Sequence, residues 1–280
     1  MQIWPAPAKL NLFLHITGRR QDGYHLLQTV FQFLDFGDRL RFKVTEDGII
    51  RRETPVAGVA EEADLCVRAA RLLQQHTGCT LGADIWLDKR LPMGGGLGGG
   101  SSDAATTLLA LNQLWALGLS RENLAGLALS LGADVPVFVA GHAAWAEGVG
   151  EQLTVIDLPE RWYVVLAPDV QVSTAQVFRD PELTRNSPPI KIRDFHACLN
   201  QGNCRNDLEP VVRKHFPEVG RALDWLAQFG APGMTGSGAC VFLPVADQQA
   251  GLDILDKQPP VEAGFVAKGV NRHPILNLIN

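Results

Sequence analysis

The sequence predicts an α+β protein built from two domains. The chain has 280 residues, which is long for one hydrophobic core and suits two of ordinary size. Apolar residues make up 46% and charged residues 20%, so there is enough apolar material for both cores. The patterning also changes past Thr154. Upstream it reads as a mixed sheet with helices, downstream as antiparallel strands under helices. This puts a boundary near Leu158, with one domain over residues 1–157 and the second over 158–280.

Each element follows from local pattern. "AKLNLFLHIT" alternates apolar and polar residues from Leu10 to Ile16, as a half-buried strand does. "GRRQDGYH" is a turn with Gly18 and Asp22-Gly23 as breakers. "LLQTVFQFLDFGDRLRFKV" is rich in β-branched and aromatic residues and predicts one or two strands. "EADLCVRAARLLQQHTG" predicts a helix with Leu65, Ala69, Leu72 and Leu73 on one face and Gly78 as its stop. "LGADIWLDKRLP" returns as a strand. "SSDAATTLLALNQLWALG" predicts a strong helix capped by Ser101 or Ser102, with Asp103 at its positive end and Gly118 as its stop. "SRENLAGLALSLG" predicts another, capped by Ser120. "GADVPVFVAGHAAWAEGVGE" reads as turns and short strands. Beyond the boundary come a strand ("RWYVVLAPD"), a helix start ("STAQVF"), a polar connector ("PPIKIRD") and a helical stretch from about Asp207 to Phe229. A second glycine-rich turn entering a strand ("GAPGMTGSGACVFLPV"), a helix around Ala246 to Asp256 and a final strand ("GFVAKGV") complete the pattern.

Bulk properties exclude several function classes. A net charge of -5 without a basic cluster argues against nucleic acid as a partner. "MQIWPAPAKLNLF" lacks the basic start and apolar stretch of a signal peptide. No run of about 18 apolar residues predicts a membrane span. The five cysteines form no CxxC pair. Their odd number without a secretory signal predicts reduced thiols in the cytoplasm, each a small buried hydrophobe.

The chemistry concentrates in "LPMGGGLGGGSSDAA", Leu91 to Ala105, where six of seven consecutive residues are glycine. Glycine is costly to order, so the loop calls for a purpose. A glycine-rich loop opening a helix lets backbone N–H groups and the helix dipole cradle phosphate. A Walker A loop would need Lys after the glycines, and none follows. Gly94, Gly96 and Gly99 match a dinucleotide fingerprint. Pro92 stands just before the loop, however, and no acidic residue lies about 20 positions on.

The loop resembles the P-x-x-x-G-L-G-S-S-A phosphate loop of the galactokinase, homoserine kinase, mevalonate kinase and phosphomevalonate kinase (GHMP) superfamily, with a longer glycine run before the serines. "PAPAKLNLFL" resembles the first motif of that superfamily and "GMTGSGACVF", Gly233 to Phe242, resembles its third. Taken with "RQDGYHLLQTVFQFLDFGD" and "LGADVPVFVAGHAAWAEGVGE", they resemble, within it, the 4-diphosphocytidyl-2-C-methyl-D-erythritol kinase family. The resemblance is weakest from Asp180 to Cys204.

The resemblance implies a two-domain GHMP-kinase fold: an N-terminal domain like the second domain of ribosomal protein S5, and a C-terminal ferredoxin-like α/β sandwich. It also implies ATP-dependent phosphorylation of the tertiary 2-hydroxyl of a cytidine-diphosphate-linked methylerythritol, on the non-mevalonate isoprenoid route. By the same resemblance Lys9 and Asp134 match a catalytic pair. Each lies in an apolar stretch, where an unpaired charge is expensive. ATP is expected on Pro92, Met93, Gly94, Gly95, Gly96, Leu97, Gly98, Gly99, Gly100, Ser101 and Ser102, with Lys89, Asp64 and Leu65 on the adenosine side. Asp64 stands where the family usually has Asn, and an ionised carboxylate cannot donate a hydrogen bond. The acceptor is expected on Asn11, Tyr24, His25, Thr174, Phe178, Gly236 and Ser237. Tyr24 and Phe178 would bracket the base and His25 would read its edge. Without the resemblance, Tyr24 and Phe178 read as core aromatics. Mg²⁺ should accompany ATP, with Ser101 or Ser102 offering an oxygen and no acidic cage in the sequence. Two rival readings are a GHMP kinase for another small alcohol, such as homoserine or mevalonate, and a non-catalytic relative sensing sugar or nucleotide.

Overall fold

The structure, a computed structural model, describes residues 1–200, 204–257 and 263–279. Its first feature is a pair of long antiparallel strands, β1 (Trp4–Arg19) and β2 (His25–Thr45), joined by a turn at Asp22-Gly23. β1 was expected to be half-buried, but it is buried almost from end to end. Its Trp4 and Ala6 belong to one core, Leu14 and Ile16 to a second, and Leu10 and Phe13 to a third between them. A strand covered on both faces can alternate in polarity only where polar side chains find buried partners.

β2 is the hub of the sheet. It pairs with β4 (Gly82–Asp88), which in turn pairs in parallel with the short β3 (Ile50–Arg52). It also pairs with β5 (Ala144–Glu147), whose other neighbour is β6 (Gln152–Val155). Helices α1 (Leu65–Thr77), α2 (Gly99–Leu114), α3 (Arg121–Leu129) and α4 (Val135–Ala140) complete the first half. Gly78 ends α1 in the left-handed conformation, and Ser120 caps α3 through its hydroxyl, both as expected. α2 is buried continuously from Ser102 to Leu111, and it packs on α1, α4 and β1. Apolar and small residues all round its surface suit that central place.

Two expectations fail here. Neither Ser101 nor Ser102 caps α2. The helix begins earlier, and its N-cap is Gly98, at φ 72 with no side-chain cap. "VPVFVA" is a helix, α4, where turns and short strands were expected. Its β-branched run looks like a strand locally, but Pro136 suits a first helical turn and Gly141 stops it in the left-handed conformation.

The second half contains β7 (Trp162–Ala167), β8 (Gly233–Met234), β9 (Val241–Val245) and β10 (Ala263–Val270), with the antiparallel order β10-β7-β9-β8. Helices α5 (Thr174–Arg179), α6 (Phe195–Asn200), α7 (Glu209–His215), α8 (Pro217–Leu226) and α9 (Gln248–Leu255) belong to it. The single helical stretch expected over 207–229 is two helices. Phe216 is forced out of helical geometry by the proline that follows it. The sheet does not stop at the half-way division, because the end of β10 pairs with Leu34 and Phe33 of β2. Ile275 and Leu276, still further along, sit in the core of the first half.

The cysteines need one correction. Cys198 and Cys204 are joined as a disulfide, while Cys66, Cys79 and Cys240 are free. Their Cα atoms lie 5.3 Å apart, inside the range such a bridge requires, and no CxxC spacing signals this proximity in advance.

Candidate active site

A cleft of about 1230 Å³ runs between the halves. Every residue singled out from the sequence lines it except Ser102, which lies fully buried in α2. The cleft has a central polar pair, a glycine-rich end and an aromatic end.

The centre is built on β1. Register shifts between Pro7 and Lys9, and again between Asn11 and Leu14, flank the segment that carries Lys9 and Asn11. Bulges of this kind re-aim side chains beside functional sites. Lys9 is 2% exposed. Its ammonium donates to Asn11 Oδ1 at 2.5 Å and to the Gly96 carbonyl at 2.8 Å, and it pairs with Asp134 Oδ2 at 3.2 Å. An ammonium has three protons, and all three are used. Asn11 is oriented by Thr29, which accepts from its amide at 2.9 Å, and by Thr235, whose hydroxyl accepts from the Asn11 backbone N–H at 3.0 Å. Asp134 occupies the N-cap position of α4, yet its carboxylate makes no capping bond. It stays about one-third exposed, open to the cleft beside Lys9.

The glycines answer two needs. Gly94, Gly96 and Gly98 adopt φ values of 71, 77 and 72, a region L side chains rarely enter. The loop is also interlocked with the second glycine-rich turn. A Cβ on Gly95 would meet Cys240 Sγ at 2.4 Å, and one on Gly96 would meet the Thr235 carbonyl at 2.3 Å. Backbone bonds staple the same contacts: Cys240 N–H donates to Gly95 O at 3.0 Å, and Lys9 N–H donates to Leu97 O at 2.9 Å. Phosphate binding alone would not explain Gly95, since its neighbours are protein atoms.

Behind the loop, Lys89 lies between two carboxylates, Asp38 at 2.5 Å and Asp103 at 2.8 Å. Asp38 also accepts the backbone N–H groups of Arg90 and Leu91. Burial raises the Asp103 carboxyl to about 8, against the pull of Lys89, and Asp38 adds repulsion. Asp103 Oδ1 has no hydrogen-bond partner among the described residues. Asp64 has a structural task. One oxygen caps α1 by accepting from Cys66 and Val67, and the other pairs with Arg52 at 2.8 Å. With both oxygens already engaged by protein donors, the difference from Asn costs the cleft little. Leu65 follows on the wall, against Gly100.

The aromatic end is assembled from distant segments. The His25 and Phe178 rings lie 5.0 Å apart, tilted by 35°. Tyr24 is 65% exposed, so it is no core aromatic, and Phe178 packs only at the edge of the second core. Thr174 and Ser237 hydroxyls meet at 2.6 Å, joining α5 to the turn that holds Gly236. Burial, then the charges of Arg185 and Arg19, hold the His25 imidazole below its usual pKa. Sequence reasoning did not find Thr29, Thr235, Asp38, Asp103 or Arg185. Thr29, Asp38, Asp103 and Thr235 lie inside the quoted motifs and Arg185 in none, but nothing local shows that each meets a partner 14 or more positions away.

Comparison with known proteins agrees with this geometry. The family "GHMP kinases N terminal domain" matches residues 64–142, and "GHMP kinases C terminal" matches 191–257. A relative from Aromatoleum aromaticum is 58% identical over 97% of this chain and 94% of its own length. One from Nitrosospira multiformis is 60% identical over 97% of this chain and 92% of its own. Both are named 4-diphosphocytidyl-2-C-methyl-D-erythritol kinase. A crystal structure of 4-(cytidine 5'-diphospho)-2C-methyl-D-erythritol kinase superposes with TM-score 0.84 at 33% identity, over 96% of this chain and 99% of that one. A mevalonate kinase superposes with TM-score 0.70 at 16% identity, over 97% of this chain and 100% of the other, and shares the fold.

Proposed function

The chain belongs to the GHMP kinases, in the 4-diphosphocytidyl-2-C-methyl-D-erythritol kinase family, and from that premise we propose how its cleft performs the transfer. The protein is an ATP-dependent phosphotransferase acting on the 2-hydroxyl of 4-diphosphocytidyl-2-C-methyl-D-erythritol, in the non-mevalonate isoprenoid route. The observation that carries the reading is the Lys9–Asp134 pair, 3.2 Å apart, midway along one cleft between the glycine loop and the His25–Phe178 pair. Residues 1–157 supply the phosphate loop and this pair, and 158–280 complete the acceptor end.

Phosphoryl transfer asks for positioned phosphates, neutralised charge and an oriented nucleophile. The loop amides and the N-terminus of α2, sixteen residues long, receive the triphosphate. An alcohol is a far weaker acid than a carboxylic acid, so full deprotonation before attack is excluded. A loose transition state asks little of the nucleophile until late. Asp134 therefore orients the hydroxyl and takes its proton as the new O–P bond forms. Lys9 holds Asp134 in place and, by trading one of its three bonds, offers a donor to the phosphoryl oxygens during the transfer. Tyr24 and Phe178 supply stacking surface for the base, and His25 a polar edge.

Among the described residues no three His, Cys, Asp or Glu side chains cluster as a metal cage. Mg²⁺ would arrive with the nucleotide, supplying charge neutralisation. Ser101, on the cleft wall, is the hydroxyl suited to it, whereas the buried Ser102 is not. Dependence on ATP argues for the cytoplasm. The test is direct. ADP release should appear with the cytidine-bearing acceptor and not with homoserine or mevalonate. Turnover of either of those at a comparable rate would overturn the reading.

A further inference from the structure

Arg185 belongs to no motif, yet it joins the two sides of the aromatic end. Its Nε donates to His25 Nε2 at 3.2 Å. Its Nη1 donates to Leu183 O at 3.1 Å, and its Nη2 to Phe178 O at 3.0 Å and Asp180 O at 2.7 Å. A guanidinium only donates and does not lose its proton in proteins. The nitrogen it faces must therefore be the accepting nitrogen of the imidazole. A neutral imidazole carries one proton, which then sits on Nδ1. Among the described residues Nδ1 has no hydrogen-bond partner in the protein, and the ring lines the cleft.

We propose that Arg185 is a positioning residue that fixes His25 as the neutral Nδ1–H tautomer, making the ring a hydrogen-bond donor toward the acceptor's base. The proposal rests on the assignment of this end of the cleft to the base. The alternatives conflict with the geometry. An Nε2–H tautomer would set donor against donor, and an imidazolium would add a second cation 3.2 Å from the guanidinium. The surrounding charges agree. Arg19 on β1 and Arg179 on α5 add positive charge to the same wall. The nearby carboxylates are engaged elsewhere: Asp22 pairs with Arg20 at 2.8 Å, and Asp180 pairs with His215 at 2.6 Å. Because the same guanidinium binds the Phe178 carbonyl, it also sets the distance between the two rings. A fixed donor suits the accepting N3 and O2 of cytosine. Uracil, with N–H at position 3, offers such a donor less.

The test reads the tautomer without turnover. Long-range ¹H–¹⁵N spectra of the ¹⁵N-labelled protein near pH 7.5, with His25 assigned by comparison with His25→Gln, should give an NH-type Nδ1 and an unprotonated Nε2. An Nε2–H tautomer or an imidazolium in the wild type overturns the proposal, and this needs no Arg185 variant to fold. In Arg185→Ala the ring should shift toward the Nε2–H form, and its pKa should move up toward about 6.5. The acceptor KM should rise about tenfold, as for a lost hydrogen bond, with the ATP KM unmoved. An unchanged His25 spectrum in Arg185→Ala overturns the positioning role. If the wild type shows Nδ1–H but its ring signals stay still on adding acceptor, the tautomer lock stands. The donor-to-base half, and the assignment it rests on, then fall.

Discussion

The two ends of the cleft are made of different material. The phosphate end is backbone: glycines at positive φ, interlocked with the Thr235–Cys240 turn and stapled to β1. The aromatic end is side chain: Tyr24 standing exposed, His25 held by Arg185, and Phe178 at the C-terminal end of a six-residue helix. The difference suits the ligands we propose for the two ends. Phosphate is recognised by charge and N–H dipoles, which a rigid backbone presents without side-chain entropy. A base is recognised by a flat face and an edge, which only side chains provide. The phosphate end should therefore fail through its fold, and the aromatic end through its affinity.

The largest effect belongs to neither end but to the pair between them. Asp134→Asn keeps the shape and loses the charge and the proton-accepting oxygen, so kcat should fall by about 10²–10⁴, the usual cost of a positioned general base. Both KM values should hold, because the lost interaction acts mainly in the transition state. Single-turnover rates at saturating ATP and acceptor decide it. A variant keeping more than about a tenth of the rate, outside that range, would remove Asp134 from the role of base.

Next comes Gly96→Ala, which drives a Cβ against the Thr235 carbonyl at φ 77. Overpacking of this kind costs about 1–3 kcal/mol, so Tm should drop by several degrees and the ATP KM should rise with it. Gly94→Ala sharpens the comparison. It shares the positive φ but has no neighbour within 4 Å, so it should cost clearly less. Equal losses in thermal melts would mean that the interlock contributes nothing. At the other end, Tyr24→Ala and Phe178→Ala should raise the acceptor KM by about tenfold to a hundredfold, since stacking is worth about 1–3 kcal/mol per base. Tyr24→Ala should leave Tm where it was, and a rise in the ATP KM instead would reverse the two ends.

The smallest effect is a pH dependence. Asp103 holds its proton to about pH 8 when folded and to about 3.9 when unfolded. Between those values the folded protein binds the extra proton, so its stability falls as pH rises, by at most about 1.4 kcal/mol per pH unit. Melts at pH 6.5 and 7.5 should show that slope in the wild type and a flatter one in Asp103→Asn. The same slope in both would mean that Asp103 is ionised beside Lys89.

What the sequence made legible is what is local. The glycine loop, Lys9 on its strand, and helix stops such as Gly78 all announce themselves within a few residues. α4 did not, because six residues of "VPVFVA" are too few for periodicity to separate helix from strand. The start of α2 was misread because Gly98 caps it without a side chain, while two serines stood nearby as apparent caps. The supporting groups were hidden by distance along the chain. Lys89 meets Asp38 across 51 residues, and Asn11 meets Thr235 across 224. Pairings of that kind are written in the fold and have no local pattern to betray them.

The return of the chain through β10 has a consequence for how the protein is made. Lys9, the glycine loop and Asp134 are synthesised within the first 134 positions. Yet the edge of β2 beside Phe33 and Leu34 stays unpaired until Gly269 and Val270 arrive. The core under α4 likewise lacks Ile275 and Leu276, against which Gly141 is packed. At ~5–20 residues per second, the nascent first half waits on the order of ten seconds on the ribosome with that apolar edge open. Until those residues arrive, the open strand edge on the growing chain is the kind of surface that invites mispairing.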